Sequence, residues 1–275
     1  MGYLERVPPM NVGLSQGRAK QGDFTLLAFT RGRYTARLAA TADDMAAALA
    51  LRWRAFHAAR GRAPKPGGDA DTHDAFCRHV LIEDHRTGTA IACFRLSVLQ
   101  NGAEIDKSYS ARFYDLAGLS GYRQPMAELS RFCLHPDCHD PDILRIAWAG
   151  LARIVDAQGI GMLFGCSSFA GTEVAPHQEA LAKLALQHLA PRRWLPGVKA
   201  LPVIRFARDF GGTAPDLQRA LKAMPPLLRT YLAMGGWVSD HAVIDHDLDT
   251  LHVFTGLEIC AIPPARARAL RAICT

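Results

Sequence analysis

The chain is 275 residues long, 49% hydrophobic and 21% charged, which suits one large domain or two closely packed ones with a sizeable core. Its formal charge of +6 favours acidic partners such as an acidic protein or anionic lipid headgroups; without an RNA-stacking motif or a basic DNA-reading helix, nucleic acid is the weakest of these. Seven scattered cysteines in mostly apolar runs, with no signal-peptide h-region and no apolar run of bilayer length, predict reduced thiols in a cytosolic protein that is soluble or peripheral.

Residues 1–32 are weakly patterned and read as an N-terminal arm. Residues 33–40 alternate enough for a strand. Thr41 is placed to cap a helix with Asp43 and Asp44 in its first turn. Met45, Ala48, Leu49, Arg52, Trp53 and Phe56 give that helix one mainly apolar face. Residues 63–69 mix prolines with glycines, as in a moving lid. A hairpin over 79–83 and 89–98 follows, and 108–119 reads as a short amphipathic helix.

The segment 127–134 stands out. Leu129, Phe132 and Leu134 belong in a core, yet Glu128 and Arg131 interrupt them. Charges in an apolar strand are costly unless they are paired or used. Three residues apart, the two are expected on opposite faces, each with its own partner. Structural ion pairing and a functional role both fit this pattern.

Beyond it, Asp140 and Pro141 open the clearest helix of the chain, with apolar residues from Ile143 to Val155 at helical spacing and Gly159 at its end. A buried strand over 161–167 and a helix over 177–189 come next. A basic turn at 191–196 precedes a helix over 226–234, a Gly235-Gly236 break and a strand over 251–258. The order describes an α/β fold with a mixed sheet flanked by helices. The expected division is an arm (1–32), a core (33–190) and a C-terminal extension packed on it (191–275).

Several clusters invite chemistry. Asp69, Asp71 and Asp74 could take a cation or an ammonium group, or simply form a solvated loop; as a calcium loop the run fails, with Asp74 at the sixth position and Val80 at the twelfth. Cys133, His135, Cys138 and His139 are too cramped for a closed zinc site without a second pair, so no metal is expected. Gly165-Cys-Ser-Ser-Phe169 lacks the closing glycine of a nucleophile elbow. Gly159-Ile-Gly161 leads into a strand, unlike a dinucleotide fingerprint.

Taken in order, these motifs resemble the bacterial ornithine Nα-acyltransferases, relatives of the N-acyl-homoserine-lactone synthases within the GNAT superfamily. The resemblance is carried by Arg52-Trp-Arg54-Ala-Phe56, Asp71-Thr-His-Asp74, Cys93-Phe-Arg95-Leu96 and Glu128-Leu-Ser-Arg131-Phe. Trp148, the run from Leu163 to Gly171, Pro225-Pro-Leu-Leu-Arg229 and Asp240-His-Ala-Val-Ile-Asp245 resemble the ornithine branch specifically. It covers about residues 34 to 259. Two departures separate the chain from the lactone synthases: no tryptophan between Phe56 and Asp71, and a longer C-terminal part.

The resemblance implies a GNAT-like sheet whose two central strands, here 127–134 and 161–167, splay apart. It implies acyl transfer from acyl carrier protein to the α-amine of L-ornithine, giving a lyso-ornithine lipid at the cytoplasmic membrane face. A lactone synthase, an acyltransferase for another amino acid, or an idle acyl- or membrane-binding domain are the alternatives. The amine needs a proton acceptor, and Glu128, its pKa raised by burial, is expected to be that base. Replacing it with Gln is expected to spare the fold and stop turnover. The helix start Asp140-Pro141-Asp142 offers two acids and no glycine, which repels the pyrophosphate of CoA. The donor is therefore expected on the phosphopantetheine arm of the carrier protein, with no further cofactor. Arg145, Arg153, Arg192 and Arg193 are its expected dock. Arg54, Arg95 or Arg131 could hold the ornithine carboxylate, and Asp71 or Asp74 its side-chain ammonium. The same residues could instead hold the lid, the role expected of Arg131.

Overall fold

The computed structural model describes residues 28–273. Most of the expected arm lies outside the described residues; its last part, Phe29–Arg31, is an edge strand, β1, paired with β2 (Tyr34–Leu38). Helix α1 (Ala42–Phe56) opens on a reciprocal cap: Asp44 N–H donates to Thr41 Oγ1, and Thr41 N–H donates to the Asp44 carboxylate. A 3-10 turn at Thr72–Phe76 leads into the hairpin β3 (Arg78–Asp84) and β4 (Thr89–Leu99).

The helix expected over 108–119 does not form. In its place stand short 3-10 turns, among them Ser110–Arg112 and Ala117–Leu119, and a two-residue strand, β5 (Tyr114–Asp115). Side chains capture the amides that a helix would use. Ser108 Oγ accepts from Ala111 N–H, and the N–H groups of Tyr109 and Ser110 donate to Glu128.

Strand β6 (Met126–Leu134) is followed by α2 (Pro141–Gln158), capped by Asp140 and closed by Gly159 at φ 59°. Then come β7 (Met162–Ala170) and α3 (Gln178–Gln187). The remainder is β8 (Gly197–Val198), β9 (Val203–Ile204), α4 (Phe206–Phe210), α5 (Leu217–Ala223), α6 (Pro226–Ala233), β10 (Trp237–Asp245), β11 (Thr250–Glu258) and α7 (Pro264–Ile273). No described helix is long and apolar enough to cross a membrane.

Nine strands form one sheet in the order β1-β2-β3-β4-β6-β7-β11-β10-β9, while β5 and β8 form a small second sheet. Only β6 and β7 run parallel. The boundary expected at 190/191 falls inside this sheet, because β11 pairs with β7 along its whole length, from Thr250 opposite Ala170 to Glu258 opposite Met162. Residues 191–275 are thus part of the scaffold and not an extension laid on it. Helix α2 covers one face with Ile143, Ile146, Trp148, Leu151 and Ile154; the 105–119 segment covers the other.

Two irregularities shape the centre. First, β6 and β7 pair only at Met126–Met162, Ala127–Leu163 and Glu128–Phe164, then diverge. The fork needs a glycine: a Cβ on Gly165 would lie 2.2 Å from the carbonyl oxygen of Leu129. Second, the register between β4 and β6 shifts from Cys93–Cys133 to Arg95–Ser130, a bulge with Arg131 at φ 53°. An L-residue in that left-handed region costs about 1–2 kcal/mol and must be held there by its contacts.

Candidate active site

The fork opens into a cavity of about 380 Å³ with a mixed lining. Leu129, Phe132, Leu134, Leu144, Leu227 and Leu228 supply its apolar part. Apolar space continues past Phe132 and Leu227 to Trp148 and Leu151 of α2. The cavity lining also carries polar groups, those of Tyr109, Ser130, Arg131, Cys166, Asp245, Thr250 and His252. This is the shape of a site for one greasy and one charged substrate.

Glu128 does not reach that cavity. Its side chain is 2% exposed and accepts three hydrogen bonds: from Tyr109 N–H at 2.7 Å, Ser110 N–H at 2.7 Å and Ser110 Oγ at 2.6 Å. Burial pushes its carboxyl up from the ordinary value, against the pull of these donors and of Arg95. The raised pKa was expected, but both oxygens are engaged by the protein and the residue does not line the cavity. In this arrangement Glu128 anchors the turn that carries Tyr109.

Arg131 holds the acidic cluster, the role expected of it, but from a face that strand alternation did not predict. The bulge breaks the strand alternation and delivers its guanidinium to the same cluster as Arg95. Asp71 bridges the two, Oδ1 lying 2.6 Å from Arg95 and Oδ2 3.1 Å from Arg131. Arg131 also reaches Asp69 at 3.0 Å and donates to Tyr109 Oη at 3.1 Å. Asp74 binds Arg95 at 2.9 Å and Arg52 at 2.6 Å, and Arg52 binds Asp69 at 2.8 Å. His57 Nε2 is 2.8 Å from the other oxygen of Asp69. Three arginines and three aspartates thus pair with one another, while Nη2 of Arg95 has no hydrogen-bond partner among the described residues. They tie α1, residues 57–77, β4 and β6 together. Asp71 and Asp74 are fully engaged by the protein's own cations. Arg54 is not in the cluster: it is exposed and bonded to His135 Nε2 at 2.8 Å, while Arg52, two residues earlier, points inward.

The matching span of the chain coincides with this architecture. Residues 51–149 match the model of the acetyltransferase (GNAT) domain, from the end of α1 through β6 into α2. The chain is 33% identical over 230 residues to L-ornithine N(alpha)-acyltransferase of Rhodobacter capsulatus, covering 80% of this chain and 88% of that protein. It is 32% identical over 237 residues to the enzyme of the same name from Rhizobium meliloti, covering 81% and 79%. The chain belongs to the L-ornithine Nα-acyltransferase family. It is an acyltransferase. Among solved structures, an N-acyl amino acid synthase from uncultured soil microbes aligns at 11% identity and a TM-score of 0.48, over 83% of this chain and 93% of that one.

For this acyltransferase the four arginines expected to dock a carrier stand on two elements, Arg145 and Arg153 on α2 and Arg192 and Arg193 in the turn after α3. Arg193 is bonded to Glu258 at 3.4 Å, and Glu258 pairs with Met162 at the closed end of the fork. Arg192 adjoins it. Arg153 lies over the ring of Phe29 on edge strand β1, and Arg145 is bonded to Asp142 at the start of α2.

Other polar residues of the lining went unnamed from sequence. Asp245 is buried, and its Oδ1 accepts from Leu248 N–H at 2.9 Å. Thr250 sits opposite it on β11, its Oγ1 without a partner among the described residues. His252, next but one, is also buried. The signal that picked out Glu128, an ionisable group inside an apolar strand, applies equally to His252 between Leu251 and Val253.

Proposed function

We propose that this acyltransferase moves an acyl group, 3-hydroxylated or plain, from the thioester of acyl carrier protein to the α-amine of L-ornithine. The product is a lyso-ornithine lipid, made at the cytoplasmic face of the membrane. The observation that carries this reading is the forked cavity with its apolar and polar lining, in a chain of this family.

The apolar lining suits the acyl chain, and backbone N–H groups freed beyond Glu128 and Phe164 suit the developing oxyanion. Asp245 suits the side-chain ammonium of ornithine, because Asp71 and Asp74 are already taken. Arg60 and Arg131 are the cations on the cavity wall for its carboxylate. The start of α2 favours a carrier-bound donor: Asp140 accepts from Asp142 N–H at 2.9 Å and Pro141 has no N–H, leaving little for a pyrophosphate.

Thiol release is the test. The purified chain is given acyl carrier protein or CoA thioesters, with ornithine, lysine, glutamine, glycine or S-adenosylmethionine. Release from the carrier thioester on adding ornithine is expected. Release with S-adenosylmethionine alone would make it a lactone synthase; absence of release with every acceptor would leave an acyl-binding domain.

A further inference from the structure

We infer that Nε2 of His252 accepts the proton given up by the attacking amine. The inference rests on the reading above that the polar groups of the cavity hold the amine acceptor. It goes beyond that reading by naming a base other than Glu128, which does not line the cavity and whose oxygens already accept three hydrogen bonds.

His252 is held from several sides. It pairs with Val243 on β10 and with Ser168 on β7, so its backbone lies in the middle of three strands. The ring of Phe113 meets the imidazole edge-on at 4.9 Å between centroids. The residue is among those lining the cavity and is 3% exposed.

Its tautomer follows from one hydroxyl. Tyr114 Oη donates to the carbonyl oxygen of His252 at 2.7 Å and lies 3.1 Å from Nδ1 of the same residue. A phenol has one proton and a carbonyl can only accept. That proton is therefore committed, and toward Nδ1 the oxygen can only accept. Nδ1 carries the ring hydrogen, and Nε2 is left as a bare lone pair. Among the described residues nothing bonds to Nε2.

The charged and titratable groups facing the ring are Asp245 and His241 on β10 and Tyr114 on β5. Burial pushes the imidazolium pKa down to about 4, with Asp245 pulling the other way and His241 adding to the fall. The ring is thus neutral across the physiological range and free to accept.

The step balances without any further reagent. Ornithine reaches the site with its α-amine uncharged, and the nitrogen lone pair attacks the thioester carbon. As the C–N bond forms, one N–H proton passes to Nε2. The C–S bond breaks, and the imidazolium returns the proton to the departing thiolate. The products are an amide and a free thiol.

Thiol release is measured with whichever amine the wild type accepts, so a wrong acceptor shows in the wild type and leaves this comparison standing. His252→Gln keeps size and polarity but takes no proton; kcat should fall about 100-fold or more, with the acceptor KM within about threefold. In His252→Ala, added imidazole should restore part of kcat. Nitrogen NMR of the wild type labelled at histidine should show hydrogen on Nδ1 and none on Nε2, a readout that stands even if a variant fails to fold. A His252→Gln enzyme within threefold of wild-type kcat, or hydrogen found on Nε2, overturns the inference.

Discussion

Asp71 lies 2.6 Å from Nη1 of Arg95, a guanidinium with no solvent exposure at all. Burial alone would raise the Asp71 carboxyl; the hydrogen bond and charge of Arg95, with the charge of Arg131, overcome this and hold it at about 2. The folded value is below the ordinary carboxylate value, about 3.9 when unfolded. Its contribution to stability is therefore complete above about pH 4 and lost as the pH falls through about 2. Asp71→Asn should flatten the dependence of stability on pH across that window. At neutral pH it should cost about 3 kcal/mol, since it strips a partner from a buried cation. Denaturant unfolding as a function of pH reads both effects; an unchanged slope would sink the assignment.

Glu128→Gln, expected from the sequence to spare the fold, should instead disturb it. The amide oxygen of Gln can serve Ser110, but its NH2 then faces the N–H of Tyr109. Setting donor against donor costs about 1–3 kcal/mol. Thermal unfolding should shift downward together with the loss of activity. A fully stable, inactive variant would return Glu128 to the role of base.

Asp245→Asn should weaken ornithine binding more than turnover. A hydrogen bond between two charged groups contributes about 1.5–3 kcal/mol, so the ornithine KM should rise about 10- to 100-fold with kcat little changed. An acceptor lacking the side-chain ammonium should be indifferent to the change. Equal loss for both acceptors would mean that Asp245 binds something else.

Gly165→Ala tests the fork. The new methyl has to displace the Leu129 carbonyl or push β7 away, at about 1–3 kcal/mol. Lower stability and a higher KM for the acyl donor are expected together, by thermal unfolding and steady-state kinetics. Normal donor KM would place the donor away from the fork.

Much of this architecture was legible in the sequence, and the failures have physical causes. The cap of α1, the whole of α2 and the two strands at the fork follow from local patterns. The alternation argument for Arg131 failed because one bulge resets the face of every later residue. The helix over 108–119 was lost to a carboxylate 18 residues away, which no local window contains. Strand β10 was hidden by Ser239, Asp240 and His241, polar residues in a bulged stretch. Ser239 satisfies itself by donating to His241 O and accepting from Phe254 N–H. The charged cluster was half legible: its members were found, but their mutual pairing, which takes Asp71 and Asp74 away from substrate, is a fact of three-dimensional arrangement.

The prolines and glycines of 63–69 suggested a door. Yet the segment is bolted at Asp69, Asp71 and Asp74, and Asp69 N–H also reaches Leu49 O. Lifting it would strand Arg52, Arg95 and Arg131 without counter-charges, and ambient salt screens buried pairs too weakly to loosen them. Pro225, Pro226, Leu227, Leu228, Asp245 and Leu248 border the forked cavity, and no ion pair joins them to one another among the described residues. Raising the ionic strength alone should leave residues 57–77 fastened to the core.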